Sequence, residues 1–241
     1  FVTSMPAIIP SSLIKRADRV LAQIGMPILE HPVFYNCPVG LRFEISEPWG
    51  DTNSPSYFLK AFTKAHQIYC DLADDFDILR IDLLLDAEDT REMQFADQQR
   101  QLSVIRGATG LPFPTEMRES DLHSDAGEDW SMPPIKVECD WDIKQLSINA
   151  DSLLKEIIHT DFPEQGGEHC EFESSVFLFS TSKNLMFHLY DDRGLDLVAQ
   201  DIGALYPFYQ KYNEWILHHD RKRIERIFSP AINDANSSNG E

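Results

Sequence analysis

The sequence predicts an α+β fold, a largely antiparallel sheet of about six strands covered by helices on one side. Two observations carry the sheet. Residues 176–181, 185–190 and 195–200 are apolar runs separated only by Ser182-Lys183-Asn184 and by Asp191-Asp192-Arg193-Gly194. Such links are too short for the crossover that parallel strands need, so a meander is expected. Residues 41–45, 78–85 and 135–142 alternate apolar and charged side chains, the pattern of strands with one wet face. A third observation, apolar residues at helical spacing between these runs, supplies the covering helices.

In order, Ser11 or Ser12 is placed to cap a first helix whose Leu13, Ile14, Ala17, Val20, Leu21 and Ile24 share a face, closed by Gly25 and Pro27. Leu41, Phe43 and Ile45 are then expected to face the core. A second helix carries Phe58, Phe62, Ala65, Tyr69, Leu72 and Phe76, with His66 near its seam. After the strand at 78–85, residues 87–101 are polar and read either as a solvated helix or as an excursion. Residues 116–130 read as an exposed loop, because so many charges cannot offset the entropy of packing. Asn149 or Asp151 can cap a helix with Leu153, Leu154, Ile157 and Ile158, and Asp201 can cap another that Pro207 weakens. Asp220 is placed to cap the last helix. The whole is read as one domain over 1–229, with a C-terminal subdomain at 174–228 and a polar, flexible tail at 230–241.

The stretches "MFHLYDDRGLDLVA" (186–199) and "LYPFYQKYNEWILHHDRKRIERIF" (205–228), with "FYNCPVGLRFEI" (34–45) and "SYFLKAFTKAHQIY" (56–69), carry a resemblance. Together they resemble a bacterial family of uncharacterised proteins marked by a C-terminal Tyr-Asp-Asp-Arg-Gly signature, a domain of unknown function. The likeness spans roughly residues 30 to 228 and implies common ancestry without implying an activity.

A chain of 241 residues buries enough surface to fold without disulfides or metal. Cys37, Cys70, Cys139 and Cys170 are scattered, without the spacing of a zinc finger, and free thiols in a reducing cytoplasm are expected. The opening "FVTSMPAIIP" lacks the basic and long apolar regions of a secretory signal, which agrees with a cytoplasmic location. No apolar run approaches the roughly 18 residues of a membrane span. Forty acidic residues face 21 basic ones, for a formal net charge of −19. That balance disfavours nucleic acid and anionic lipid and favours a basic protein partner.

Four constellations bear on chemistry. Tyr190, Asp191, Asp192, Arg193 and Gly194, with Trp215 further on, read as a structural signature in which Gly194 takes a left-handed conformation and Arg193 bonds to carbonyls or a carboxylate. The alternative is catalytic, with His188, Asp191, Asp192 and Asp196 holding a divalent metal as in a hydrolase or phosphoesterase. His218-His219 and His169-Cys170 lack ligand spacing, and neither a phosphate loop nor a G-x-S-x-G elbow is present. No cofactor or metal is expected. Finally, Arg42, Glu44, Arg80, Asp82, Lys136, Glu138, Asp140 and Asp142 fall on the faces opposite the apolar residues and should form an exposed charged ladder. Glu128, Asp129, Glu138, Asp140 and Asp142 are accordingly expected to form an acidic docking surface. The leading expectation is a non-catalytic immunity or neutralising protein that covers the basic site of a toxin such as a nuclease.

Overall fold

The computed structural model describes residues 12–121, 134–146, 148–162, 164 and 174–237. In chain order the elements are α1 (Leu13–Gln23), α2 (Val33–Asn36), β1 (Gly40–Glu44), α3 (Pro55–Cys70), β2 (Ile78–Leu85), α4 (Arg91–Thr109), β3 (Glu116–Asp121) and β4 (Ile135–Asp142). They continue with α5 (Ala150–Ile158), β5 (Ser175–Ser180), β6 (Leu185–Leu189), β7 (Gly194–Ala199), α6 (Ile202–Lys211), a 3-10 turn (Asn213–Trp215) and α7 (Arg221–Ser237). Among the described residues the strands make one seven-stranded sheet in the order β1-β7-β6-β5-β2-β4-β3. Every pairing is antiparallel, so the α+β class holds. No helix among the described residues is long and apolar enough to cross a membrane.

The main core lies on one sheet face, where Leu41, Phe43, Leu79, Ile81, Leu83, Cys139, Trp141, Leu178, Phe187 and Leu197 meet α3 to α7. Helix α4 forms where a solvated helix or an excursion was expected. Thr90 caps it by accepting the Met93 N–H at 3.3 Å, and Gly110, left-handed at φ 72°, ends it. Pro207 lies inside α6 without ending it. Helix α7 continues to Ser237, past the boundary expected at residue 229, so residues 230–237 belong to a helix and not to a tail.

Two expectations about the sheet need correction. The first is the strand count: residues 116–121, read as loop, form the edge strand β3. Its stabilisation comes from charge instead of apolar packing, which hid it. Arg118 stands opposite Glu138 in the register and binds it at 2.7 Å through Nε, while its other nitrogens bind Asp18 at 2.7 and 2.9 Å. Glu116 accepts the Leu13 and Ile14 N–H groups at 3.0 and 3.2 Å and the Ser12 hydroxyl. A carboxylate from β3 therefore caps α1, while Ser12 donates outward and supplies no cap to its own helix. Burial opposes the charge on Glu116, but these donors outweigh it and hold the carboxyl below its usual range.

The second correction concerns the other sheet face, which also carries a helix. Leu13, Ala17, Val20, Leu21 and Ile24 of α1 pack with Val33 and Cys37 onto Ile78, Phe177, Phe179, Met186 and Val198. The charged ladder lies on this face, but much of it is not open to solvent: Arg80 and Asp140 are 0 % exposed, and Arg42, Asp82 and Glu138 are also buried. Its central row crosses the whole sheet. Arg42 stands opposite Asp196, Asp196 opposite His188, Phe177 opposite Arg80, Arg80 opposite Asp140, and Asp140 opposite Glu116. Phe177 joins the two halves by stacking on His188 at 4.5 Å between centroids.

Arg80 grips Asp140 with two bonds, Nε to Oδ1 at 2.7 Å and Nη2 to Oδ2 at 2.8 Å, the fork geometry that a guanidinium offers a carboxylate. Asp18 of α1 and Glu138 approach Arg80 Nη1 at 3.6 Å, and Lys136 reaches Glu138 at 3.0 Å and Asp82 at 3.6 Å. Burial works against the Arg80 charge, yet these carboxylates outweigh it and keep the guanidinium ionised. Removing one partner of such a pair strands the other in a dry site. Asp140→Ala should therefore cost about 3 to 5 kcal/mol, whereas Arg80→Met/Asp140→Leu should recover most of that loss. Urea unfolding of the single and double variants measures both, and equal stability of the two variants would contradict the pairing argument.

Candidate functional site

The turn between β6 and β7 carries the signature residues, and each is fixed by a specific contact. Asp191 accepts the Arg193 backbone N–H at 2.7 Å and binds its guanidinium, with Nε at 2.7 Å. The Arg193 carbonyl accepts the Ile45 N–H at 3.1 Å, which carries the β1–β7 pairing one step beyond Glu44. Asp192 is buried and accepts the Tyr57 hydroxyl, tying the turn to α3. Burial raises the Asp192 carboxyl above its usual range, and the Tyr57 bond offsets only part of this. Trp215 is half-buried, stacked on Tyr212 at 4.6 Å, with the Lys64 ammonium 5.7 Å from its ring centre.

Gly194 is required for a reason other than the one expected. It is absent from the positive-φ residues of the described chain, so the left-handed conformation does not occur. A Cβ built on it would lie 1.8 Å from the Tyr190 hydroxyl and 2.4 Å from the ring carbon bearing it. The hydroxyl end of Tyr190 presses on the strand start, where only a glycine leaves room. Its ring is in turn 5.4 Å from the Arg42 guanidinium, which Phe34 and Tyr35 also flank at 5.3 and 4.8 Å.

The residues of the catalytic alternative do not form one ligand set. Asp191 and Asp192 lie with Asp161, with ligand atoms within 4.8 Å of one another. Arg193 binds Asp191 and comes within 3.6 Å of Asp161, so the cluster already carries its own cation. Asp196 is committed elsewhere: it takes both Arg42 bonds at 2.7 Å and the Phe34 N–H at 3.1 Å. His188 has its Nδ1 3.0 Å from the Val176 carbonyl, and its ring is stacked on Phe177 and 5.3 Å from that of His31. The partners Asp161, Tyr57 and His31 lie far from the turn in sequence, and no local spacing points to them.

The expected docking residues are likewise dispersed. Glu128 and Asp129 lie outside the described residues. Glu138 and Asp140 are buried and paired, because α1 covers them. Asp142, half-buried, accepts the Lys144 N–H at 3.2 Å at the end of β4 opposite the one that the 122–133 segment joins. A depression of about 570 Å³ is lined by Asp71, Lys183, Asn184, Asp201, Phe208 and Lys211. Its lysines are paired, Lys183 with Asp75 and Lys211 with Asp71, both at 2.6 Å.

Two predictions follow from this geometry. Gly194→Val should cost about 1 to 3 kcal/mol through overpacking, and in a Tyr190→Ala background the added cost should shrink. A double-mutant cycle by urea unfolding reads the difference, and strict additivity would contradict the contact. The second is a pH dependence. Burial lowers the His188 imidazole to about 4, with nearby Arg42 also lowering it and the Val176 bond and Asp191 acting against. Burial raises Asp82 to about 6, with Lys136 and Arg80 offsetting part of the effect. An unfolded chain takes these protons near pH 6.5 and about 3.9 respectively. As pH falls from 6.5 to 4, the unfolded state binds more protons at His188 and stability drops, on the order of 3 kcal/mol at pH 4. Asp82 acts in the opposite sense between pH 6 and 3.9, since there the folded state holds more protons. Urea midpoints across this range should lose part of their slope in His188→Phe, where the His31 imidazole, also lowered to about 4 by burial and by His188, still acts in the same sense, and should steepen in Asp82→Asn.

Uncharacterized protein YnaE of Bacillus subtilis (strain 168) is 29 % identical to this chain over 108 residues. That stretch covers 44 % of this chain and 45 % of the relative, so less than half the relative's length is matched. No solved structure matches the chain. The family described as Domain of unknown function (DUF3885) matches residues 19–220, which takes in every strand and the signature turn, and the chain belongs to that family.

Proposed function

We propose that the protein is a non-catalytic binding protein for a basic protein partner, in its most concrete form an immunity protein that covers the basic cleft of a toxin such as a nuclease. The observation that supports this reading is where the charge resides. The formal net charge is −19, and many of the cations are held in internal pairs: Arg16 with Asp77, Arg42 with Asp196, Arg80 with Asp140, Arg118 with Asp18 and Glu138, and Arg193 with Asp191. The surplus of carboxylates is left facing outward, among them exposed Asp51, Asp74, Asp86, Glu92 and Glu214. A field of that sign steers a basic partner into contact and repels phosphate backbones and anionic lipid.

Within this reading Glu128, Asp129 and Asp142 remain candidates for direct contact, while Glu138 and Asp140 serve the fold. Association should be fast and salt-sensitive, because attraction between exposed charges is screened over roughly 8 Å at physiological ionic strength. The test asks whether a basic nuclease toxin is encoded beside this chain and measures association with it; the absence of any such neighbour counts against the proposal. Glu128→Lys/Asp129→Lys and Asp142→Lys should each slow association about tenfold at low salt, with the urea midpoint unchanged in the former and slightly lowered in the latter, which loses the Lys144 N–H bond. An on-rate indifferent to salt and to both reversals assigns the charge to solubility and removes the proposal's support.

A further inference from the structure

Three carboxylates from two separate parts of the chain converge beside the signature turn. Asp191 and Asp192 belong to the link between β6 and β7, and Asp161 to the turn that follows α5. One oxygen of each lies within 4.8 Å of the other two, and among the described residues no other trio of potential ligands meets that spacing. Aromatic packing sets Asp161 in place. Phe58 of α3 stacks on His159 at 4.6 Å and meets Phe162 edge-on at 5.3 Å, so both flanks of Asp161 are anchored to the helix that also carries Tyr57.

Carboxylates gather on protein surfaces for many reasons, but a second observation sets this group apart. Asp192 is 2 % exposed, and only one of its oxygens is satisfied: Oδ2 takes the Tyr57 hydroxyl, while Oδ1 is buried without a hydrogen-bond partner. A bare carboxylate oxygen inside a protein costs free energy and is ordinarily answered by a water or an ion. A water would satisfy the oxygen yet leave the repulsion among the carboxylates in place. Arg193 binds Asp191 and comes within 3.6 Å of Asp161. Three negative charges and this one positive charge still leave two negative charges without a counterion.

We propose that Asp161, Asp191 and Asp192 form a binding site for a hard divalent cation of the calcium and magnesium class, with water completing its shell. An all-oxygen set suits calcium, magnesium and manganese and lacks the nitrogen or sulfur ligands that favour zinc and copper. An ionised carboxylate has about four lone-pair sites, so Asp191 can serve Arg193 and the ion together. The Asp161 side chain is 52 % exposed, which gives the ion a way in. Once bound, the ion ties the turn after α5 to the start of β7, and Arg193 is the resident cation that it must work against.

The test titrates Ca²⁺, Mg²⁺ and Mn²⁺ calorimetrically into the full chain after treatment with chelator. At least one of them should bind with saturation at one equivalent and raise the melting temperature. Asp161→Asn and Asp192→Asn should each weaken that binding at least tenfold, whereas Asp74→Asn, a change at an exposed carboxylate outside the cluster, should leave it unaltered. Arg193→Gln removes the competing cation and should tighten binding severalfold, an effect that a merely structural role for the carboxylates would not produce. Metal-free melting temperatures check that each variant folds, and if Asp192→Asn does not, the exposed Asp161→Asn and Arg193→Gln carry the test. Absence of saturable binding for all three ions, equal weakening in Asp74→Asn, or binding that fails to tighten in Arg193→Gln would overturn the assignment.

Discussion

The structure depends on how a sheet face made of charges is taken out of water. Burying an ion in a protein interior costs several kcal/mol unless geometry and further bonds offset it. Here the offset is supplied in depth: Arg80 meets Asp140 through a bidentate fork, Asp18 and Glu138 lie just beyond it, and Arg118 and Lys136 in turn pair with Glu138. Helix α1 can cover this face because it brings a carboxylate as well as its apolar stripe. Asp18 meets the cations where Leu21 and Ile24 meet Phe177 and Phe179.

That constraint explains why the signature turn and the sheet centre behave as one unit. Arg42 sits at the crossing of two networks, bound by Asp196 in the row and surrounded by Phe34, Tyr35 and Tyr190. Tyr190 can approach only because Gly194 has no side chain, and Asp192 then fastens the turn to Tyr57 on α3. Bidentate pairs and close aromatic contacts fix register as well as adding energy, since a slip by one residue would set each of these groups on the wrong face.

Much of the fold was legible in the residues themselves. Alternation at 41–45, 78–85 and 135–142 identified three strands and their apolar face correctly, and the short links after Thr181 and Tyr190 identified the meander. Illegible were the features that depend on distant partners. Strand β3 has one exposed Met and otherwise polar side chains, and only its pairing with β4 and α1 makes it a strand. A charged, alternating face looks the same in sequence whether water or a helix lies over it, so Glu138 and Asp140 read as a docking surface. The candidate site was partly visible: the turn was found from its residue types, but Tyr57, Asp161 and His31, which define its surroundings, come from other parts of the chain.

Strand β1 lies at one edge of the sheet, and its in-sheet neighbour is β7, with Gly40 opposite Val198 and Glu44 opposite Gly194. Strand β1 thus waits for a segment 150 or more residues later before its ladder can close. Closing so long a loop brings the entropy loss before the contacts that reward it, which raises contact order and slows folding. During synthesis β1 emerges from the ribosome well before β7 exists, and until then its apolar Leu41 and Phe43 have no sheet to join. Topology thus leaves an apolar strand unpaired until a distant partner has been made, the kind of exposure that makes an incompletely folded chain prone to aggregate.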